Sequence, residues 1–386
     1  MDIATILKQV KSPFSNEEIE KLIRTYTECN CDMNEFYRKI NLSGEERENS
    51  YLNDLHNRLF SFSNRGKRFV DENDSWDIIA SSEDTLRVPN RQKDREPIYR
   101  IYINAKGQDK AKIIEDYIRH CEDVGQVYKL KYSVTDGRKD EILILSYGED
   151  LSKNIELIET ITEGMNLGEP AELLGRYKDK IGIGEEYIQV PIYSYTQTRL
   201  GIIPIAMQKY FLDHKPQFEQ YLDEEDKETV DFLLECFEEE SQDLSEEIKE
   251  LSEKTEKLSE EEKNKIESLK KNQFAYQNNI DFNIGNMYFS LCQSISKVMK
   301  AYMDEHSEIA IPEIIENYRM ACEIFGISRE GVFSKATENI IKQQEKTPLQ
   351  QREDELASLE KEERTIAEAE RLIDKQNANE GKNIGD

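Results

Sequence analysis

The chain has 386 residues, 80 acidic against 52 basic, for a formal charge of -28. A field of that sign repels nucleic acid and anionic membranes, which excludes a general polyanion-binding role. Apolar residues make up 37% and charged residues 34%, yet 19 Tyr and 14 Phe supply core material, so the composition predicts a globular centre diluted by charged helices.

Residues 1–95 read as a helical region that becomes irregular. The first ten residues hold no apolar run of signal-peptide length, and no stretch approaches about 18 apolar residues. The expectation is therefore a cytoplasmic protein, or one exported without a classical signal. Ser15 and Glu18 form a capping box that predicts a helix over 16–29. Apolar residues at helical spacing predict another over 51–62, and the Arg, Asp, Asn and Ser mixture of 63–96 reads as loop.

A sheet region follows. Over 98–104 the residues alternate, with Tyr99, Ile101 and Ile103 on one face and Arg100, Tyr102 and Asn104 on the other, because strand side chains have period two. Residues 110–124 read as an amphipathic helix whose stripe is Ile113, Ile114, Tyr117 and Ile118. Residues 128–133 alternate again and put Lys129, Lys131 and Ser133 on one face. Arg138 opens a third strand, 141–147, and 152–165 reads as a helix. The segment 180–186, with Gly182 and Gly184, reads as a loop into a fourth strand over 188–195, which Arg199 follows. An isolated Gly-x-Gly is explained by turns as well as by a phosphate site. A sheet with one packed face and one face of Arg, Lys, Tyr and Asn suggests a cleft for an anion. The same pattern also fits an antiparallel sheet with a solvated face.

Helical periodicity resumes over 200–221, broken near Pro216. From 223 to 271 the composition shifts to Glu, Lys, Ser and Leu, with a capping box at Ser259 and Glu262. This predicts an antiparallel helical hairpin over about 238–272, projecting from the core and dispensable to it. Residues 273–302 and 312–325 read as core helices, the latter ending at Gly326. Beyond Lys335 a charged, coiled-coil-like helix leads to a disordered tail over 377–386. The fold expected is α+β: a mostly antiparallel sheet flanked by helices, with a hairpin insertion and helical extensions at both ends. The domain limits expected are 1–95, 96–335 and 336–386. Six scattered cysteines without a CxxC pair, and four isolated histidines, predict neither a disulfide framework nor a metal site.

The strand 99–104 resembles the opening R-I-Y-x-N strand of the HopA family of bacterial type III effectors. Lys131-Tyr132-Ser133 followed by Arg138-Lys139-Asp140 resembles that family's K-F-S … R-x-D block. Residues 181–187 resemble its G-x-G-x-E element, 193–199 its S-F/Y-x-x-x-R element, and 318–333 its closing helix. The resemblance spans about 97–335, interrupted by the hairpin. That family is in turn similar to phosphothreonine lyases and to lanthipeptide phospho-lyase subunits.

What the resemblance implies is cofactor-free β-elimination of phosphate from phospho-Ser or phospho-Thr in a protein or peptide. On it, Lys131 is the base, since an amine among other cations acquires a depressed pKa. Arg138 and Arg199 hold the phosphate, helped by Lys129 or Arg100, and Tyr102 stands where the lyases carry a histidine acid. His120 sits one helix away from that position. Each residue also has a plainer reading: Lys131 a solvated strand lysine, Arg138 a turn residue paired with Asp136 or Asp140, Tyr102 a half-buried aromatic, Arg199 a helix-start residue bonded to backbone. Two functions fit this pattern. One is a phospho-lyase; the other is a non-catalytic effector or interaction protein that keeps the fold and an anion cleft and binds partners through its hairpin or tail, with no nucleic acid or membrane involved.

Overall fold

The computed structural model describes residues 2–52, 54, 55, 58, 59, 67–70, 76–81, 98–148, 150–186, 195–253, 259–278, 280, 291–328 and 332–345. Two compact units divide the chain, Met1–Lys335 and Ala336–Asp386. Of the second, only the body of helix α11 (Lys335–Glu345) falls in the described residues, so the coiled-coil and disordered-tail expectations lie outside them.

Short polar caps start the N-terminal helices. Asp2 caps α1 (Ile3–Lys8), Ser15 caps α2 (Asn16–Glu28) and Asp32 caps α3 (Met33–Asn41), each accepting a backbone N–H that the helix cannot satisfy itself. Of the expected 51–62 helix, a 3-10 turn at Ser50–Leu52 and fragments are described.

Among the described residues, eight strands form one sheet: β1 (Val10–Lys11), β3 (Lys67–Val70), β4 (Trp76–Ala80), β5 (Ile98–Ile103), β6 (Lys129–Ser133), β8 (Ile142–Tyr147), β9 (Gly175–Tyr177) and β10 (Ile181–Glu185). Their order is β1-β9-β10-β5-β8-β6-β4-β3, and every pairing is antiparallel. A separate ribbon pairs β2 (Leu42–Glu48) with β7 (Thr135–Arg138).

Three expectations need correction here. The stretch 63–96, read as loop, contains β3 and β4, which extend the sheet past β6. The Gly-x-Gly segment, also read as loop, is β10, a strand hydrogen-bonded on both sides. Arg138 ends β7 rather than opening β8. Of the expected strand 188–195, residues 188–194 lie outside the described residues, and Tyr195 begins a helix, α6 (Tyr195–Asp213).

The glycines of β10 answer to close packing. A Cβ on Gly184 would stand 2.7 Å from the Tyr195 ring, and one on Gly182 would stand 2.6 Å from Leu174. Gly184→Ala must therefore move a buried ring, and overpacking of this kind costs about 1–3 kcal/mol. The checking measurement is urea denaturation of the variant beside wild type; an unchanged midpoint would show that Tyr195 yields freely.

Helices α4 (Gly107–Val124) and α5 (Asp150–Ile161) cover one face of the sheet. Ile113, Ile114, Tyr117 and Ile118 are buried beneath α4, as its stripe predicts. A polar chain crosses this layer: Tyr117 donates to Asn154, which donates to Ser146 of β8, both at 2.9 Å. The expected broken helix over 200–221 is α6, then α7 (Lys215–Phe218) after a break at His214, with Pro216 in the first turn of α7. Long helix α10 (Leu291–Ile324), kinked at His306, packs on α6 and α2 and ends before the left-handed Gly326.

The hairpin is α8 (Glu224–Glu253) and α9 (Glu260–Gln277), with the Ser259–Glu262 capping box in place. Lys265 pairs with Glu247, and Phe237 packs on Tyr276 at 5.7 Å, so the helices run antiparallel. Because the Phe237–Tyr276 pair closes its base, a Gly-Ser linker replacing 238–272 is expected to shift Tm by no more than about 3 °C. Insoluble protein from that variant would make the hairpin part of the core.

Candidate functional site: a cationic sheet face

Directly paired residues of antiparallel strands project to the same face. The register sets Arg100 opposite Leu145 and Leu145 opposite Lys129, then Tyr102 opposite Leu143 and Leu143 opposite Lys131. Arg100, Tyr102, Lys129 and Lys131 therefore share the face turned away from α4 and α5, as the alternation predicts. Trp76 of β4 pairs with Ser133 on this same face.

Trp76 is the anchor. The Lys131 ammonium and the Arg138 guanidinium each lie 4.9 Å from its ring centroid, a separation at which the ring quadrupole attracts a cation. Trp76 is 7% exposed, so it is a fixed plate that brings together two charges of the same sign from different strands.

Arg138 reaches this plate because of a buried network behind it. Gly137 has φ +134°, and a Cβ there would meet Glu45 O at 2.8 Å, so only glycine fits the turn. One oxygen of Glu141 accepts from the Gly137 and Arg138 N–H groups, both at 2.7 Å, and the other accepts from Lys110 at 2.6 Å. Lys110 and Glu141 are fully buried. Asp136 accepts from Gly107 N at 2.8 Å, joining the turn to the start of α4. The Arg138 guanidinium is held by Asp140, with Nε to Oδ1 at 2.9 Å.

On β5, Arg100 makes a two-point pair with buried Glu186, which follows β10. Lys129 lies within electrostatic reach of both. Its pKa falls below the ordinary lysine value, first because it is partly desolvated and then because Arg100 and Lys131 repel its charge. Tyr102 moves in the opposite direction. Burial, opposed by Arg100 and reinforced by Glu186, pushes its phenol well above the usual value, further from the range that suits a general acid at neutral pH. Its ring belongs to an apolar cluster with Ile98, Leu143, Leu145, Leu174 and Tyr195.

Arg199 is more deeply buried than the cations of this group. It lies in the first turns of α6, is 1% exposed, stacks 4.6 Å from the Tyr195 ring and donates to Val332 O at 3.4 Å. Tyr195 packs on Gly184 of β10, directly opposite Arg100, and its ring shares the Tyr102 cluster, whereas β6 lies three strands away, about 14 Å across the sheet. The Arg199 charge also opposes the effect of burial that raises the Cys322 thiol to about 11. Lys131, Arg138, Lys129 and Arg100 are thus brought together, and Arg199 lies buried behind Tyr195 at the Arg100 end of this face, donating to Val332 O. Two further residues of the site, Glu186 and Trp76, receive no role from sequence reasoning. Glu186 is the acid of the segment that resembles G-x-G-x-E, and Trp76 is the chain's lone tryptophan, placed in a stretch read as loop. Among the described residues no His, Cys, Asp and Glu group could hold a metal ion, and no helix is long and apolar enough to cross a membrane.

Comparison with known proteins adds little to this geometry. No protein-family model matches the chain, and no curated protein matches it. Among solved structures, the chain is weakly similar to an effector protein from Pseudomonas syringae pv. syringae strain 61. The identity is 11% and the TM-score 0.35, over 45% of this chain and 79% of that one. A likeness of that size carries no argument about the site.

Proposed function

We propose that the cationic face is a docking site for a phosphorylated Ser or Thr segment of a protein partner, used for binding rather than chemistry. The observation that carries this reading is the convergence of Lys131 and Arg138 on Trp76, beside Lys129 and Arg100. A phosphate dianion is the ligand such a cluster accommodates best, through charge-assisted hydrogen bonds. The motif resemblance to HopA-type effectors supports phosphate over carboxylate. Against a lyase stands the raised pKa of Tyr102. One observation favours elimination: the lowered pKa of Lys129 leaves more of its amine unprotonated and able to accept a proton than in an ordinary lysine, so Lys129 competes with Lys131 for that role.

The test is fluorescence anisotropy with a phosphothreonine peptide and its unphosphorylated twin, followed by mass spectrometry of the peptide. The phosphorylated form is expected to bind at least about 10-fold more tightly and to be recovered intact. Lys131→Ala and Arg138→Ala each lose a charged partner and weaken binding by about 2 kcal/mol, whereas Tyr102→Phe leaves it unchanged. Equal binding of both peptides would remove the phosphate from the reading. Loss of phosphoric acid, leaving an alkene, would establish the lyase instead, and Tyr102→Phe would then slow it by about 10²-fold or more if Tyr102 were the acid.

The pH dependence has a definite sign. A bound phosphate raises the Lys129 pKa back toward its ordinary value, so above the lowered free-state pKa binding takes up a proton. Affinity is expected to fall as pH rises through that lowered pKa, and Lys129→Met to flatten the fall.

A further inference from the structure

The cationic face continues past Lys129 into an apolar shelf. Beyond the start of β6 the backbone keeps its pairing with β4 for one more residue. Ser81 N donates to Tyr128 O at 3.0 Å, and Tyr128 N donates to Ser81 Oγ at 3.3 Å. Tyr128 is buried and meets Tyr117 of α4 edge-on, on the covered side of the sheet. Its neighbour Val127 is therefore turned to the cationic side, in step with Lys129 and Lys131, and is 62% exposed.

The other half of the shelf is on β8. Tyr147 pairs with Ile98, which gives it the parity of Leu143 and Leu145, and its ring is partly buried against the cluster that holds Ile98, Leu145 and Tyr102. Carrying the pairing of Lys129 with Leu145 two residues further sets Val127 opposite Tyr147. A single exposed valine is ordinary on a protein surface. What distinguishes this one is its alignment with the cations and its place beside an aromatic ring.

Spacing decides what the shelf can hold. Val127 stands four residues from Lys131, about 13 Å at ~3.3 Å per residue. An extended peptide has the same rise, and its side chains at i and i+4 point the same way, whereas those at i and i+3 point to opposite sides. A segment lying along β6 with its phosphate at Lys131 and Arg138 therefore sets the residue four positions away over Val127 and Tyr147. Charge selects an apolar residue there. The Tyr147 phenol is raised by burial and then by the Glu186 carboxylate, so a second carboxylate from the partner would meet repulsion at this end.

The geometry points to an apolar side chain, four positions from the phosphorylated residue of the same extended segment, as the occupant of the shelf made by Val127 and Tyr147. The assignment rests on the reading of the cationic face as a phosphosegment site, and it names the sequence that such a face selects.

The experiment is fluorescence anisotropy of the full chain with phosphothreonine peptides in a Ser-Gly host sequence. Each peptide carries one leucine at -4, -3, +3 or +4, or none, and each has an unphosphorylated twin. Parity does not fix the direction of the segment, so leucine at one of -4 and +4 is expected to tighten binding about 5-fold or more over the leucine-free phosphopeptide. Leucine at -3 or +3 should change it by less than about 2-fold. Val127→Ser should erase the gain, so that the leucine-bearing and leucine-free phosphopeptides bind alike. No gain at -4 or +4, an equal gain at -3 or +3, or a gain that survives Val127→Ser would each overturn the assignment and leave phosphate dependence standing. Equal binding of every phosphorylated peptide and its twin would overturn the phosphosegment reading, and the assignment with it. The position series is measured on wild type, so it decides the matter without any variant.

Discussion

Lys110→Met is expected to destabilise the protein by about 3–5 kcal/mol, because it strips a fully buried carboxylate of its counter-ion. Met keeps much of the length of the lysine stem, so lost packing contributes little. The cost falls on Glu141, whose pKa already lies above the usual carboxylate value because burial outweighs the pull of Lys110. A carboxyl that holds its proton more tightly folded than unfolded favours folding in acid, and that contribution is lost as pH rises through the folded pKa. Removing Lys110 raises that pKa further. The destabilisation should therefore be largest near neutrality and shrink as pH falls toward the ordinary Glu value of 4.5. The double variant Lys110→Met with Glu141→Gln should recover more than half of the loss, since the Gln carbonyl still accepts from Gly137 and Arg138 N–H. Urea denaturation across pH checks both claims. A loss independent of pH, or no recovery in the double variant, would assign the effect to packing.

Trp76→Ala is the second large effect. Truncating a nearly buried tryptophan leaves a cavity that costs about 3–5 kcal/mol, and it removes the plate that Lys131 and Arg138 share. Phosphopeptide affinity should fall by more than for Lys131→Ala alone, because both cations lose their common support. Trp76→Phe separates the two consequences. A smaller ring retains a π face, so binding should survive better than stability. If anisotropy shows affinity unaffected by Trp76→Ala in protein that remains folded, the plate has no part in recognition.

The sheet face is legible where side chains alternate cleanly. Strands β5 and β6 place Arg100, Tyr102, Lys129 and Lys131 at alternate positions, and the register carries both pairs to one face. Likewise Ser15 and Ser259 announce their helices because caps are local chemistry. Strand β4 is hidden for a physical reason. Trp76-Asp77-Ile78-Ile79-Ala80 is nonpolar on both faces except for Asp77, and that carboxylate is buried because it accepts from the Tyr132 hydroxyl at 2.9 Å, a partner 55 residues away. Strand β10 is hidden by its glycines, which ordinarily weaken a strand. Here Tyr195 and Leu174 take the space that side chains would fill. The place of Arg199 is illegible for a related reason: nothing within 188–199 discloses that Tyr195 turns into a helix and carries the guanidinium toward Val332. Among the site residues, Lys131, Lys129, Arg100 and Tyr102 follow from strand parity, whereas the meeting of Arg138 with Trp76 depends on segments far apart in the chain and has no local signal.

The sheet keeps one more partner waiting. Past the short pairing of β9 with β10, the exposed side of β10 is completed by residues from far along the chain. Glu185 N donates to Val332 O at 3.4 Å, and Ser334 donates to the Glu185 carboxylate from its N–H at 2.7 Å and its hydroxyl at 2.8 Å. At the opposite margin of that strand group, β1 pairs Val10 with Tyr177, a separation of more than 160 positions. During synthesis, β10 leaves the ribosome roughly 150 residues before the strap that covers it. For that interval the end of β10 beyond Ile183 lacks its cover on the β9 side, a short open edge of the kind that recruits wrong partners. Contacts of such long span also make for slow closure. A chain halted anywhere between 190 and 330 should therefore be prone to aggregate or to occupy a chaperone, and one extended through Ser334 should be released.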